Sequence, residues 1–245
     1  MLEGKVALVT GSSQGLGRVI AHALARAGAR AIVNCADDLA RAQAVVEEIT
    51  SEGGQAEAYC CDITDEAAVA AMFAALGPVD ILVNNARIDP YFRSPEDTEA
   101  QWFTRVLNVN LTGAFICSLA FFEQAQPRGY GRIVNISSVR AFLPAEMNMI
   151  AYGVSKLGLH GLTRAFAANG AACGITANTV APGMIVTENI DKRLTPEMKA
   201  RESARIPLGR GATCEEVADA VLFVINNAYV TGETININGG MHYAP

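Results

Sequence analysis

No two of the six cysteines (Cys35, Cys60, Cys61, Cys117, Cys173 and Cys214) stand in a C-x-x-C spacing, and basic residues are in the minority, 19 Lys+Arg against 25 Asp+Glu in 245 residues. The first absence removes the usual spacing of redox and metal motifs. A chain of this length needs no disulfide staples, so most of the thiols are expected to act as small buried hydrophobes, with no metal site. The second absence leaves the Lys and Arg residues scattered singly, with no stripe to follow a phosphate backbone, which argues against a nucleic-acid partner. Every apolar run is broken by Gly, Asn or a charge well before the roughly 18 residues of a spanning helix, so no membrane association is expected. Only Leu2-Glu3-Gly4-Lys5 separate Met1 from the strand-like Val6-Ala7-Leu8-Val9, too little for a signal peptide, and a cytoplasmic location is the corresponding expectation. No Pro/Ser-rich linker and no repeat divides the chain.

What remains is a chain 51% hydrophobic and 18% charged, rich enough in apolar residues for one large core. Short β-rich runs at 6–10, 31–35, 56–61, 79–83, 131–137, 176–180 and 234–237 alternate with helical periodicity at 15–27, 39–52, 65–76, 99–124, 152–172 and 214–226. Asp65, Thr98 and Thr213 are placed as N-caps. Most of the strand runs are continuously apolar, which predicts burial on both faces. The pattern predicts an α/β fold, a doubly wound, Rossmann-like parallel sheet of seven strands with helices on both faces, as a single domain over 1–245. The stretch 183–211 has no clear assignment and is expected to be a lid over a substrate.

The first strand runs into Thr10-Gly11-Ser12-Ser13-Gln14-Gly15-Leu16-Gly17, and a helix starts at once. A strand-to-helix turn that offers backbone N–H groups to a pyrophosphate needs positive φ and close approach, so side chains at Gly11, Gly15 or Gly17 are expected to obstruct a dinucleotide. The loop residues Gly11, Ser13, Gln14, Gly15, Leu16 and Gly17 are accordingly the expected cofactor contacts. Further along stand Tyr152 and Lys156, one helical turn apart and therefore on one helix face, and Ser138 at the end of the fifth strand run. Carbonyl reduction delivers hydride to carbon and a proton to oxygen. A phenol titrates near 10, and a neighbouring ammonium favours its phenolate, which suits Tyr152 as acid/base, while a hydroxyl at Ser138 suits the substrate oxygen.

The order of these motifs resembles the short-chain dehydrogenase/reductase family, from Lys5 to Gly240. They are Thr10-Gly11-x-x-x-Gly15-x-Gly17, Cys61-Asp62-Ile63, Asn84-Asn85-Ala86, Asn110 within Val109-Asn110-Leu111, Ser138 after Asn135-Ile136-Ser137, Tyr152-x-x-x-Lys156 and Pro182-Gly183. The resemblance implies a nicotinamide cofactor and a secondary alcohol or ketone as substrate. It makes Asn110, Ser138, Tyr152 and Lys156 the catalytic set, with Lys156 also holding the nicotinamide ribose and Asn110 anchoring a water in a proton relay. It places Asp62 and Ile63 at the adenine, Asn85 and Ala86 at a ribose, and Pro182, Gly183, Ile185 and Thr187 at the carboxamide. Asp62 has a second reading, as a cap for the following helix. The resemblance also implies a homotetramer or homodimer, in keeping with apolar residues on several faces of 99–124 and 152–172, among them Phe115, Leu119, Phe122, Leu159, Leu162 and Phe166. His242 and Tyr243 then either approach a neighbouring subunit's cleft or form a disordered tail.

The residues that select NAD over NADP are uncharged or mixed. Cys35 stands where NAD-type relatives carry Asp, and Ala36 where NADP-type relatives often carry a base. Asp37 and Asp38 bring negative charge that repels a 2′-phosphate, with Arg41 and Arg18 as the opposing cations, and the balance favours NAD. The chain departs from the family where Asn84-Asn85-Ala86 is followed by Arg87 instead of glycine. Arg87, Arg93 and Arg140 all come from loops at strand ends and are candidates for binding an anionic substrate; pairing with Glu96, Asp97 or Glu146 is the alternative. Two other functions remain open, a nicotinamide-binding sensor or scaffold without turnover, and an enoyl reductase, against which the three-residue interval between Tyr152 and Lys156 counts.

Overall fold

The computed structural model describes residues 2–88, 90, 93–187 and 195–243. Seven strands, β1 (Val6–Val9), β2 (Arg30–Cys35), β3 (Gln55–Cys60), β4 (Ile81–Asn84), β5 (Gly131–Ile136), β6 (Ile175–Pro182) and β7 (Thr234–Ile237), pair in the order β3-β2-β1-β4-β5-β6-β7, all parallel. The order reverses between β1 and β4, so the crevice beyond their carboxyl ends is where a doubly wound sheet binds ligands. The central strands are buried on both faces, as their apolar runs predict; Ala7, Leu8 and Val9 have no exposed surface. The edges differ from that expectation. In β3, Gln55, Glu57 and Cys60 reach solvent, and β7 is half-buried throughout, because each has a neighbour on one side only.

Helices α1 (Gly15–Arg26), α2 (Leu39–Ser51) and α8 (Cys214–Asn226) cover one face. The other face is covered by α3 (Glu66–Leu76), α5 (Ala114–Ala125) and α6 (Ile150–Gly170), with Met72, Phe73, Phe121 and Phe166 in its core. Asp65, Thr98 and Thr213 cap α3, α4 (Glu99–Leu107) and α8, the last two in full capping boxes. The run predicted as one helix over 99–124 is interrupted by a π-helical turn, Asn108–Gly113, between α4 and α5. The whole stretch, Glu99–Arg128, is long and apolar enough to cross a membrane by length and composition, contrary to the sequence expectation. Its apolar residues Trp102, Val106, Cys117, Phe121 and Ala125 are instead buried within this fold. Phe115 and Leu119 remain exposed, whereas Leu159 and Phe166 are buried and Phe122 and Leu162 partly so. Within the expected lid, α7 (Pro196–Ser203) is a helix with no buried residue, and residues 188–194 lie outside the described ones.

Candidate active site

The glycine loop is braced from three sides. The Thr10 hydroxyl accepts the Asn85 and Ala86 N–H groups at 3.0 and 3.1 Å, Asn85 Nδ2 donates to the Thr10 and Gly11 carbonyls at 2.9 and 3.0 Å, and Asn34 Oδ1 accepts the Gly11 N–H at 3.1 Å. The protein itself also requires two of the glycines. A Cβ at Gly11, whose φ is +60°, meets Ala86 Cα at 2.8 Å, and one at Gly17 meets Asn85 Nδ2 at 2.5 Å and the Gly11 carbonyl oxygen at 2.6 Å. Gly15 (φ +55°) faces open space at the start of α1. There the helix opens on Gln14 without a side-chain cap, whereas α2, α3, α4, α7 and α8 are capped by Asp38, Asp65, Thr98, Thr195 and Thr213. Uncapped N–H donors at a helix N-terminus suit a pyrophosphate, and the cradle fits the expected dinucleotide. Ser13 lies half-buried in the loop, and Leu16 turns its side chain into the core beneath it.

Several of the residues expected at the nucleotide also have structural roles. Cys35 is 3% exposed and packs its side chain into the core under α2. Ile63 likewise buries its side chain in the opposite core. Asp62 is exposed, and its Oδ1 accepts both the N–H and the hydroxyl of Thr64 at 2.9 Å, closing a turn ahead of α3. Asn85 serves as the latch on the glycine loop, and Ala86 as the residue against which Gly11 packs. Asp37 is exposed beyond β2. Arg41 reaches Gln14 Oε1 at 3.2 Å and Asp38 Oδ2 at 3.3 Å, while Arg18 is tied to Glu48 at 2.6 Å.

Ser138 leaves the end of β5 buried, its hydroxyl accepting the Arg140 N–H at 3.2 Å and starting a short 3₁₀ turn. Tyr152 and Lys156 lie on α6, with the Lys156 ammonium 5.6 Å from the Tyr152 ring centroid. Lys156 is 1% exposed, and Nζ donates to the Ile136 carbonyl at 2.8 Å. Burial, and secondarily the charge of Arg87, push its pKa down to about 7. The charge of Arg87 is thus felt at Lys156. Asn110, inside the π-helical turn, accepts the Ile88 N–H at 2.8 Å and donates to Ser155 at 3.2 Å, and Ser155 donates to the Tyr152 carbonyl. Its side chain therefore clamps the β4 loop to α6. Pro182 ends β6, Gly183 N donates to the Ile237 carbonyl at 2.8 Å, and Ile185 bridges to Ala212 with its side chain against the core. Thr187 is half-buried at the start of the expected lid.

The Arg93 guanidinium binds Glu99 at 2.5 Å and the Asp97 carbonyl at 2.7 Å, a neighbour pairing of the kind that was its alternative, though Glu99 was not among the partners expected. Arg140 is half-buried beside Ser138. His242 stacks on Phe142 of its own chain, with centroids 4.7 Å apart and planes at 8°.

Sequence reasoning missed a set of buried polar side chains under the site. Asn34 Nδ2 donates to the carbonyls of Cys35, Tyr59 and Cys61, joining the ends of β2 and β3. Asn84, Asn135, Thr163 and Thr179 form a chain across β4, β5 and β6 with links of 2.8, 2.8 and 2.7 Å. His160 bonds Ser137 at 2.8 Å and Thr234 at 3.0 Å, while Ser137 also donates to the Lys156 carbonyl. Apart from the neighbours Asn34 and Cys35, these partners are 16 to 74 residues apart in sequence, and no local spacing signals them.

Residues 11–242 match the family model described as enoyl-(acyl carrier protein) reductase. Over 98% of this chain and 99% of the other, the sequence is 40% identical to acetoacetyl-CoA reductase of Rhizobium meliloti (strain 1021). Among solved structures it is similar to a protein of Agrobacterium tumefaciens provisionally described as a gluconate dehydrogenase, with TM-score 0.90, 41% identity and coverage of 98% of this chain and 96% of that one. It is also similar to a Beutenbergia cavernae protein provisionally described as an NAD(P)-dependent gluconate 5-dehydrogenase, solved with NADP at low occupancy, with TM-score 0.88, 39% identity and coverage of 98% and 97%.

Proposed function

The chain belongs to the short-chain dehydrogenase/reductase family and is an NAD(P)-dependent oxidoreductase of that type; on this premise we propose that it interconverts a secondary alcohol and a ketone on a small anionic hydroxy acid. The observation that carries the reading is Arg87, the exposed cation that follows Asn85 and Ala86 in the β4 loop and whose charge is felt at the buried Lys156. When bound, the dinucleotide gives or takes hydride. The rest is done by side chains: Ser138 donates to the substrate oxygen, Tyr152 gives that oxygen its proton on reduction and removes it on oxidation, and Lys156 favours the phenolate when charged. A carboxylate seated on Arg87 offsets one of the two causes that lower the Lys156 pKa, so an anionic substrate restores the ammonium when it arrives. Two of the similar proteins have names that include gluconate, a hydroxy acid, which supports the same class.

NAD remains the favoured dinucleotide. Arg18 is engaged by Glu48 and Arg41 by Asp38 and Gln14, leaving the exposed Asp37 to set the charge at the end of β2. The exposed Phe115 and Leu119 suit burial between subunits in an oligomer. The test is a pair of measurements on purified protein: fluorescence titration with NADH and NADPH, and turnover of sugar acids and short hydroxy acids against neutral secondary alcohols and 3-oxoacyl thioesters. Tighter NADH binding and turnover confined to the acids are expected. Turnover of the thioesters alone overturns the substrate reading, and NADPH binding more tightly overturns the dinucleotide reading.

A further inference from the structure

Cys35 and Cys60 are the last residues of β2 and β3 and stand directly opposite each other in the strand register. Ala31, Val33 and Cys35 on β2, and Ala56 and Ala58 on β3, face the same core under α2, and strand alternation puts the Cys60 side chain on that face too. Neighbouring strands run about 4.8 Å apart, inside the roughly 4.4–6.8 Å between Cα atoms that a disulfide spans. Cys60 Sγ lies 3.2 Å from the carbonyl oxygen of Ala36, the residue after Cys35. Cys60 is exposed and Cys35 buried, which divides the pair into a thiol that an oxidant can reach and one waiting behind it. The third nearby thiol, Cys61, points into the opposite core.

We propose that Cys35 and Cys60 form a reversible thiol–disulfide modification site that responds to hydrogen peroxide and weakens dinucleotide binding when closed. The Cys60 thiolate attacks peroxide: the O–O bond breaks, an S–O bond forms, and hydroxide leaves as water with a proton, giving a sulfenic acid. The Cys35 sulfur then attacks the Cys60 sulfur, the S–O bond breaks, and the hydroxyl leaves as a second water with the Cys35 proton. One peroxide is reduced to two waters as two thiols become one disulfide, and an external dithiol reverses the step. Closure draws Cys60 Sγ off the Ala36 carbonyl and pins together the strand ends from which the loops bearing Ala36-Asp37-Asp38 and Cys61-Asp62-Ile63 emerge. The link to binding rests on the dinucleotide reading above; the thiol chemistry does not.

The experiment treats the whole reduced protein with hydrogen peroxide, blocks remaining thiols with N-ethylmaleimide and maps the peptides, with NADH and NADPH titrations before oxidation, after it, and after dithiothreitol. The expected result is a Cys35–Cys60 cross-linked peptide, a dissociation constant roughly fivefold or more weaker, and recovery with dithiothreitol. C60S is expected to bind like the reduced protein and to show no change with peroxide. A Cys60 sulfinic acid beside an alkylated Cys35, a Cys60 bridge to another thiol, or a Cys35–Cys60 bridge with unchanged affinity each overturns the proposal. Absence of any dinucleotide binding by the reduced protein overturns the functional reading instead, while the peptide map still decides the thiol chemistry.

Discussion

Lys156 donates its ammonium to the carbonyl oxygen of Ile136 at 2.8 Å, from a position that is 1% exposed. The ammonium is thereby fixed between the end of β5 and the Tyr152 ring, and its protonation depends on how burial and Arg87 are balanced.

Replacing Arg87 by Leu removes the second of these causes, so the Lys156 pKa rises from about 7 toward its usual 10.5. The limb of the kcat/KM profile that reports Lys156 is expected to move to higher pH, while KM for anionic hydroxy acids rises about tenfold or more, the loss of one charge-assisted pair. KM for a neutral secondary alcohol is expected to stay within about twofold. An unchanged KM for the acids removes Arg87 from the substrate site.

Tyr152→Phe deletes the proton donor and leaves the ring. Turnover is expected to fall by about 10²–10⁴, with the NADH dissociation constant little changed. Stopped-flow hydride transfer in a single turnover checks this, and a residual rate within tenfold of the parent rules Tyr152 out as acid/base.

Asn34→Ala leaves the Gly11 N–H and three carbonyls without their shared side-chain partner. Urea unfolding is expected to show a loss of about 1–3 kcal/mol, and the dinucleotide dissociation constant to rise because the glycine loop loses its brace. Normal affinity with lowered stability would confine Asn34 to the fold.

His160 is held neutral by burial, secondarily by Arg164, and its pKa is pushed down to about 4 from 6.5. Between those values the unfolded chain binds a proton that the folded chain does not, so stability falls as pH drops from 6.5 to 4 and is fully regained above 6.5. A Tm drop of roughly 2–4 °C or more from this group is expected over that window. His160→Gln should flatten it in differential scanning calorimetry; an identical slope places the acid sensitivity elsewhere.

The sheet was legible because its central strands are apolar on both faces, and the helix starts because Asp65, Thr98 and Thr213 satisfy backbone donors locally. Ser138, Tyr152 and Lys156 were legible for the same reason, since a strand end and one helical turn define their relation. What one chain cannot reveal is the identity of distant neighbours. That Gly11 and Gly17 are also needed for the close approach of Ala86 and Asn85, which follow β4, is not readable from the loop alone. Cys35 and Ile63 sit at expected cofactor positions by number, and both bury their side chains in the core, Cys35 from the end of β2 and Ile63 from the turn after β3. Arg93 meets Glu99, six residues on in another element, a partner its spacing did not single out.

The Thr10 hydroxyl takes the N–H groups of both Asn85 and Ala86, so one oxygen ties the glycine loop to the loop that carries Arg87. Two segments 75 residues apart in sequence thus share one hydroxyl as a fastening, and loss of the Thr10 hydroxyl loosens both at once.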